Sequence, residues 1–189
     1  MANATQVTTG KVRFSYVHAF EPYTQNAGQE PKYSMTILIP KTDKATMAKI
    51  KAAIEAAKEN YSNRNNGKKL PQNLKTTIHD GDGVRESGEE FGEECKGCYV
   101  MTVSSKHKPL IIDSQKLPIT DPLEVYSGCY GRVIINFFVY NTAGRVGVSA
   151  GLNGIMKLHD GDPLGGGIIT DADWDDDWTD TDSGEDWLS

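Results

Sequence analysis

The sequence predicts a mainly β fold: a small antiparallel barrel of five strands with one inserted α-helix, followed by a disordered acidic C-terminal tail. Three observations carry that expectation. Apolar residues alternate in strand fashion in five separate segments, the period lengthens to about 3.6 only once, and no repeating strand–helix–strand rhythm is present. The 189 residues suit one domain plus a tail. No run approaches the roughly 18 apolar residues that a membrane helix needs.

The first strand is expected at Gly10 to Val17, with Val12, Phe14 and Tyr16 on the core side and Lys11, Arg13 and Ser15 on the other. Glu21 to Gln29 connects it to a second strand, Lys32 to Ile39. There Tyr33, Met35, Ile37 and Ile39 face inward, Lys32, Ser34 and Thr36 face outward, and Pro40 ends the run by removing a ladder donor. Met47, Ile50, Ile54, Ala57 and Tyr61 then form one stripe of an amphipathic helix of about five turns, capped by Thr42 or Asp43. Ser62 to Lys69 breaks that helix and collects Arg64, Lys68 and Lys69 on a loop.

From Leu70 to Gly97 no element is expected, and Glu86 to Glu94, with five acids, reads as an exposed loop. Tyr99 to Ser104 is a strand with Tyr99, Met101 and Val103 on one face, followed by Lys106, His107 and Lys108. Gly131 to Tyr140, nearly all β-branched or aromatic, is the strongest strand. Val133, Ile135, Phe137 and Val139 share its core face; Arg132, Ile134, Asn136, Phe138 and Tyr140 share the other. A turn at Asn141 to Gly144 returns the chain as Arg145 to Leu158, a hairpin partner. Among such architectures an OB-type barrel is preferred, although a β-sandwich of equal strand count reads the same way by periodicity.

Charge divides the chain at residue 160. Residues 160 to 189 hold eleven of the 26 acids and no Lys or Arg, so the preceding 159 residues set fifteen acids against all 20 basic residues, a net of +5. All three tryptophans, Trp174, Trp178 and Trp187, also lie in the acidic segment, where a disordered tail ordinarily has few aromatics. An odd count of three cysteines fits a reducing compartment, no basic-then-apolar leader opens the chain, and the expected location is the cytoplasm.

Several motifs invite catalytic readings and fail them. Gly147 to Gly151 matches G-x-S-x-G, but no helix start follows Ser149 and no acid separates it from His159. Cys95-Lys96-Gly97-Cys98 lacks a second pair of zinc ligands at zinc-motif spacing, His107 and Cys129 being the remote candidates. His-Asp-Gly-Asp occurs at His79 to Asp82 and at His159 to Asp162 with unrelated flanks, and reads as two turns rather than two metal sites. No Walker loop is present. The expectation is a protein without catalytic residues, metal or cofactor.

What remains is a cationic and aromatic set: Arg13, Tyr16, Lys32, Arg64, Lys68, Lys69, Tyr99, Lys106, Lys108, Arg132, Phe138, Tyr140 and Arg145. Rings of this kind stack on bases of any identity while Lys and Arg collect phosphates, which suits single-stranded nucleic acid without sequence preference. The expected organisation is a binding domain over residues 1–160, a Gly-rich hinge over 161–170 and an acidic, Trp-containing tail over 171–189. The tail competes with the polynucleotide for the basic groove, and Trp174, Trp178, Trp187 and Leu188 then offer hydrophobic contacts to protein partners.

Arg13-Phe14-Ser15-Tyr16, Leu38-Ile39-Pro40-Lys41, Asp80-Gly81-Asp82, Val125-Tyr126-Ser127-Gly128, Gly147-Val148 through Leu152 to Asp160-Gly161, and Leu164-Gly165-Gly166 occur in an order and spacing that resemble the tailed-phage single-stranded DNA-binding proteins. The resemblance implies an OB fold, single-strand binding in phage replication or recombination, and an acidic tail that meets replication proteins. The chain departs in closing on Ser189 instead of an aromatic residue. Rival readings are a DNA-mimic inhibitor of a host DNA-binding protein, an enzyme, and a virion structural protein. DNA or RNA preference, footprint and oligomeric state, homo-oligomers included, stay open.

Overall fold

A computed structural model describes residues 4–24, 27–71, 74–142 and 144–164. In chain order the elements are β1 (Gln6–Thr8), β2 (Val12–Tyr23), β3 (Lys32–Pro40), α1 (Lys44–Arg64), β4 (Lys75–Thr76), β5 (Ile78–Asp80), β6 (Cys98–Ser105), β7 (Leu110–Ile112), β8 (Tyr130–Thr142) and β9 (Arg145–His159). Single 3₁₀ turns lie at Glu93–Cys95 and Pro122–Glu124. Among the described residues no helix is long and apolar enough to cross a membrane.

Five strands close on themselves in the order β2-β3-β6-β9-β8-β2. Four seams are antiparallel; the β6–β9 seam is parallel and rests on the single pairing Ser104↔Gly151. The β8–β2 seam is also thin, with Val12↔Gly131 and Arg13↔Tyr130. A five-stranded, partly open barrel of this kind is the OB fold. The expectation of a wholly antiparallel barrel is thus corrected at one seam, because β9 leaves its hairpin running in the direction of β6.

Alternation filled the barrel as the sequence reading required. Phe14, Met35, Ile37, Ile39, Met101, Val103, Val133, Ile135, Phe137, Val148, Ala150 and Leu152 are all buried in one core. Ile50, Ala53, Ile54 and Ala57, on one stripe of α1, extend that core against β8 and β1. Gly131 leaves room for the Phe14 ring: a Cβ there would collide with the Met156 carbonyl and lie 2.5 Å from Phe14 Cζ.

Asp43 is the N-cap of α1. Its Oδ1 accepts from the Thr46 amide at 3.1 Å and its Oδ2 from the Thr46 hydroxyl at 2.6 Å, while Thr46 Oγ1 accepts from the Gly10 amide at 2.9 Å. The cap therefore also ties the helix to the segment before β2. Asp43→Ala is expected to cost about 1 to 2 kcal/mol, at the upper end for a cap, because two further hydrogen bonds lose their anchor; urea denaturation checks it.

Three sequence expectations need correction. Tyr16 does not face the core: the β2–β3 register shifts between Ser15 and His18, which buries Ser15 and leaves Tyr16 61% exposed. β2 continues to Tyr23, through part of the expected loop. Residues 70–97 are not featureless, since β4 pairs with β9 and β5 with β6, and Phe91 packs on a second small cluster of Leu38, Cys95 and Val100.

Candidate functional site

The outer face of β2, β3 and β6 forms a groove of about 830 Å³, and its construction follows from strand parity. With Met35, Ile37, Met101 and Val103 turned inward, Ser34, Thr36, Thr102 and Ser104 must turn outward. The register sets Ser34 opposite Ser104 and Thr36 opposite Thr102, whose hydroxyls lie 3.4 Å apart. Four short hydroxyl side chains make a low, polar floor.

Rings and cations stand around it. Tyr16, His18 and Tyr23 project from β2, and the His18 and Tyr23 rings stack at 4.1 Å with 7° between planes. Tyr16 and Tyr23 are 61% and 49% exposed. Tyr16 has φ +47°, a left-handed conformation that a bulky residue rarely adopts and that marks stored strain at functional positions. The distortion is held from behind: the Gly128 amide donates to the Phe14 carbonyl at 2.8 Å, and the Val17 amide to Ser127 Oγ at 3.3 Å. Lys32, Lys106 and Arg85 supply positive charge. Lys106 pairs with Glu30 at 3.0 Å on the surface, and Lys32 has no ion pair among the described residues.

The remaining residues of the expected set are distributed elsewhere. Lys108 lies 5.6 Å over the Phe20 ring, on the strand that carries Tyr16 and Tyr23. Arg64 and Phe138 line a separate cleft between α1 and β8, with Lys68 and Lys69 exposed in the turn just after the helix. Arg13 is not in the groove: its Nε donates to the Gly128 carbonyl at 3.1 Å, its Nη2 to the Asp162 carbonyl at 2.7 Å, and its guanidinium stacks on Tyr130 at 5.3 Å. Tyr99 packs on the core under Lys41, whose ammonium sits 5.5 Å from the ring centre. Arg132 donates to the Thr9 carbonyl at 2.8 Å, Tyr140 lies across Gly147, and Arg145 stands at the tip of the β8–β9 hairpin. Trp174, Trp178, Trp187 and Leu188 lie outside the described residues.

Both His-Asp-Gly-Asp segments are anchored on lysines, but only the first is a turn; the second leaves β9 as irregular chain, which corrects the expectation of two turns. Lys41 Nζ contacts Asp80 at 2.6 Å and Asp82 at 2.7 Å, and Lys157 Nζ contacts Asp160 at 2.6 Å. The Lys41 hydrogen bonds hold both carboxyls of the first turn below the ordinary aspartate value of 3.8 and raise the Lys41 ammonium above its own. Asp160 is lowered by Lys157 and then by the Tyr126 hydroxyl. Depressed carboxyls contribute stability above pH 3.8 that disappears as pH falls through their folded-state values. The melting-temperature gap between the protein and a Lys41→Met variant should therefore hold steady from pH 8 to about 5 and narrow below about pH 4; calorimetry across that range checks it. Burial raises the thiols of Cys95, Cys98 and Cys129. Ser149 faces Phe138 from within β9, with strand on both sides where a hydrolase elbow needs a helix.

Beyond β9 the chain is clasped to the barrel. Tyr126 Oη donates to the Gly161 carbonyl at 2.9 Å and accepts from its amide at 3.2 Å, Arg13 holds Asp162, and the Leu164 amide donates to the Ser127 carbonyl at 2.8 Å. Gly128, at φ +117°, meets Asp162 so closely that a Cβ would strike its carbonyl. Leu164 packs on the cluster of Leu38 and Val100. That pair lies two residues along from Thr36 and Thr102 on the same outer face, roughly 7 Å away. Position 164 thus sits at one end of the groove.

An OB barrel whose β2-β3-β6 face carries exposed rings and cations over a low floor belongs to the class of OB-fold polymer-binding proteins. The comparisons narrow the class. The family model described as Enterobacter phage Enc34, ssDNA-binding protein matches residues 5–188, and the chain belongs to that family. It is 32% identical to protein p50 of Acyrthosiphon pisum secondary endosymbiont phage 1, covering 90% of this chain and 93% of that one. Its structure is similar to that of the single-stranded DNA-binding protein from bacteriophage Enc34 in complex with ssDNA, with TM-score 0.73, 28% identity, and coverage of 85% and 90% of the two chains. The fold is also shared with gp2.5, a single-stranded DNA binding protein encoded by bacteriophage T7, at TM-score 0.59 and 14% identity, over 86% and 98% of the chains.

Sequence reasoning missed His18, Tyr23, Ser34, Thr36, Arg85, Thr102 and Ser104 as site residues. A signal for the floor was present: Ser34 and Thr36 alternate with core residues on one strand, as Thr102 and Ser104 do on another.

Proposed function

We propose that this protein binds single-stranded DNA without sequence preference during phage replication and recombination, in the host cytoplasm, as a binding protein and not as a catalyst. The observation that carries the reading is the groove: Tyr16, His18 and Tyr23 offer ring faces to bases, Lys32, Arg85 and Lys106 offer charge to phosphates, and the hydroxyl floor lets the polymer lie close. Duplex DNA keeps its bases stacked within the helix and cannot present them to those rings. The DNA-mimic reading leaves this groove without a purpose.

The acidic tail acts on the same groove. The last described residue, Leu164, packs at the groove's end, and the 25 residues after it carry nine acids and no Lys or Arg. A flexible chain of that length reaches about 25 to 30 Å, enough to lay carboxylates along the groove in place of phosphates. Displacement by DNA then frees Trp174, Trp178, Trp187 and Leu188 for replication or recombination proteins. Residues up to 164 belong to the barrel unit, because Gly161, Asp162 and Leu164 are clasped to it, so the hinge expected over 161–170 is shortened to the residues after Leu164.

Titrating labelled oligo-dT and a matched duplex at two salt concentrations tests both points. Oligo-dT should bind more tightly than duplex, with a log–log salt slope of about −0.7 per phosphate neutralised. Removal of residues 171–189 should raise affinity severalfold at low salt. Salt-independent binding would refute the groove; a loss of affinity on truncation would refute competition by the tail.

A further inference from the structure

We propose that the cleft between the end of α1 and β8 is a second nucleic-acid contact site, which takes one base and its phosphate from a strand that has already crossed the groove. The inference rests on the single-strand reading above and adds a direction and a length to it. The cleft encloses about 230 Å³ and is lined by Asn60, Tyr61 and Arg64 of the helix and by Asn136 and Phe138 of β8.

Its chemistry matches a nucleotide. Phe138 is 45% exposed on the face of β8 opposite the core, so its ring is open to stacking. Arg64, in the last turn of α1, is exposed and makes no ion pair or side-chain hydrogen bond among the described residues, which leaves its planar fork open to a phosphate. Asn136 Oδ1 accepts from Thr5 Oγ1 at 2.7 Å, a bond that orients the amide and leaves its NH₂ as a donor toward a base edge. The helix end is fixed to β8 by Asn141 Nδ2, which donates to the Tyr61 hydroxyl at 3.2 Å, so the cleft does not have to be assembled by the ligand. A purely apolar ligand would leave Arg64 and both amides unused, and a free anion would leave Phe138 unused.

Continuity with the groove is the second support. A Cβ on Gly151 would lie 3.9 Å from both the Phe138 ring and the carbonyl of Ser104, a floor residue of the groove. Gly151 thus adjoins both a floor residue and the ring, and contributes no side chain between them. Beyond the cleft, Lys68 and Lys69 extend the positive charge.

The test compares full-length protein binding to oligo-dT of about 4 and about 16 nucleotides, the span reported for single OB folds, by fluorescence anisotropy. Phe138→Ala should weaken the long oligonucleotide about tenfold, and Arg64→Ala severalfold with a salt slope shallower by about 0.7, while the short one is unaffected by either. Equal effects on both lengths, or none on the long one, would overturn the second site. Groove variants at Lys32 and Lys106 should weaken both lengths; if they weaken neither, the single-strand reading of the groove itself fails. Photo-cross-linking of a long 5-iododeoxyuridine oligonucleotide to the unsubstituted protein gives a readout free of folding effects. An adduct on the peptide carrying Phe138 is expected, and adducts confined to groove peptides would overturn the proposal.

Discussion

Changing Lys32 and Lys106 together to Glu is expected to lower the affinity for oligo-dT about 100-fold at low salt while leaving the fold intact. Each lysine that neutralises a phosphate releases counterions, so losing two should flatten the log–log salt slope by about 1.4 units, and the two carboxylates that replace them repel the backbone as well. A 100-fold loss corresponds to about 2.7 kcal/mol, within reach of two such sites. Stability should change little, because Lys106 touches only Glu30 in an exposed pair, worth at most about 1 kcal/mol, and Lys32 has no ion pair among the described residues. Lys49→Glu with Lys51→Glu, both exposed on α1, makes the same change in net charge without touching the groove and is the control. Anisotropy titrations at two salt concentrations decide it. If the double variant behaves like the control, attraction comes from the overall field of the barrel and the groove has no special part in it.

The elements that sequence made legible are those long enough to show a period. β8 alternates cleanly in burial, β3, β6 and β9 keep an alternating set of apolar core residues although some neighbours are buried as well, and α1 buries a stripe, so each was visible without its neighbours. β1, β4, β5 and β7 have two or three residues and exist because a longer strand offers them a ladder edge; nothing local encodes them. Barrel closure was legible only as a class, since its two weakest seams rest on three residue pairings together.

The candidate site was half legible for a different reason. Parity placed Lys32 correctly on the outer face but misplaced Tyr16, because the β2 irregularity is imposed by the Tyr126–Gly128 segment more than 100 residues away. Arg13 shows the converse. On a strand face an arginine reads the same whether it meets phosphates or main-chain carbonyls, and only the fold reveals Gly128 and Asp162 as its partners. Several motifs that carried the family resemblance are parts of this clasp. Arg13-Phe14-Ser15-Tyr16, Tyr126-Ser127-Gly128, Asp160-Gly161 and Leu164 together hold the Tyr16 distortion and fix where the chain leaves the barrel. Their spacing is specific because the clasp joins the groove's ring to the tail's point of departure.

Tyr16 offers the sharpest test of that arrangement, because strain and function make opposite demands on it. Holding a bulky residue at φ +47° costs on the order of 1 to 2 kcal/mol, which glycine would not incur. Glycine in turn loses about 0.4 to 1 kcal/mol through the greater freedom of the unfolded chain. A side chain that is 61% exposed contributes little packing to offset the difference. Tyr16→Gly is therefore expected to keep or raise stability, by up to about 1 kcal/mol, whereas Tyr16→Ala, which retains the steric penalty, gains nothing. Both should weaken oligo-dT binding equally, by about tenfold, since both remove one stacking ring. Thermal melts and titrations on the two variants separate the terms: stability should differ between Gly and Ala, and affinity should not. A Tyr16→Gly protein that melts several degrees lower and binds oligo-dT as before would make the ring a structural prop, and would move the binding face away from β2.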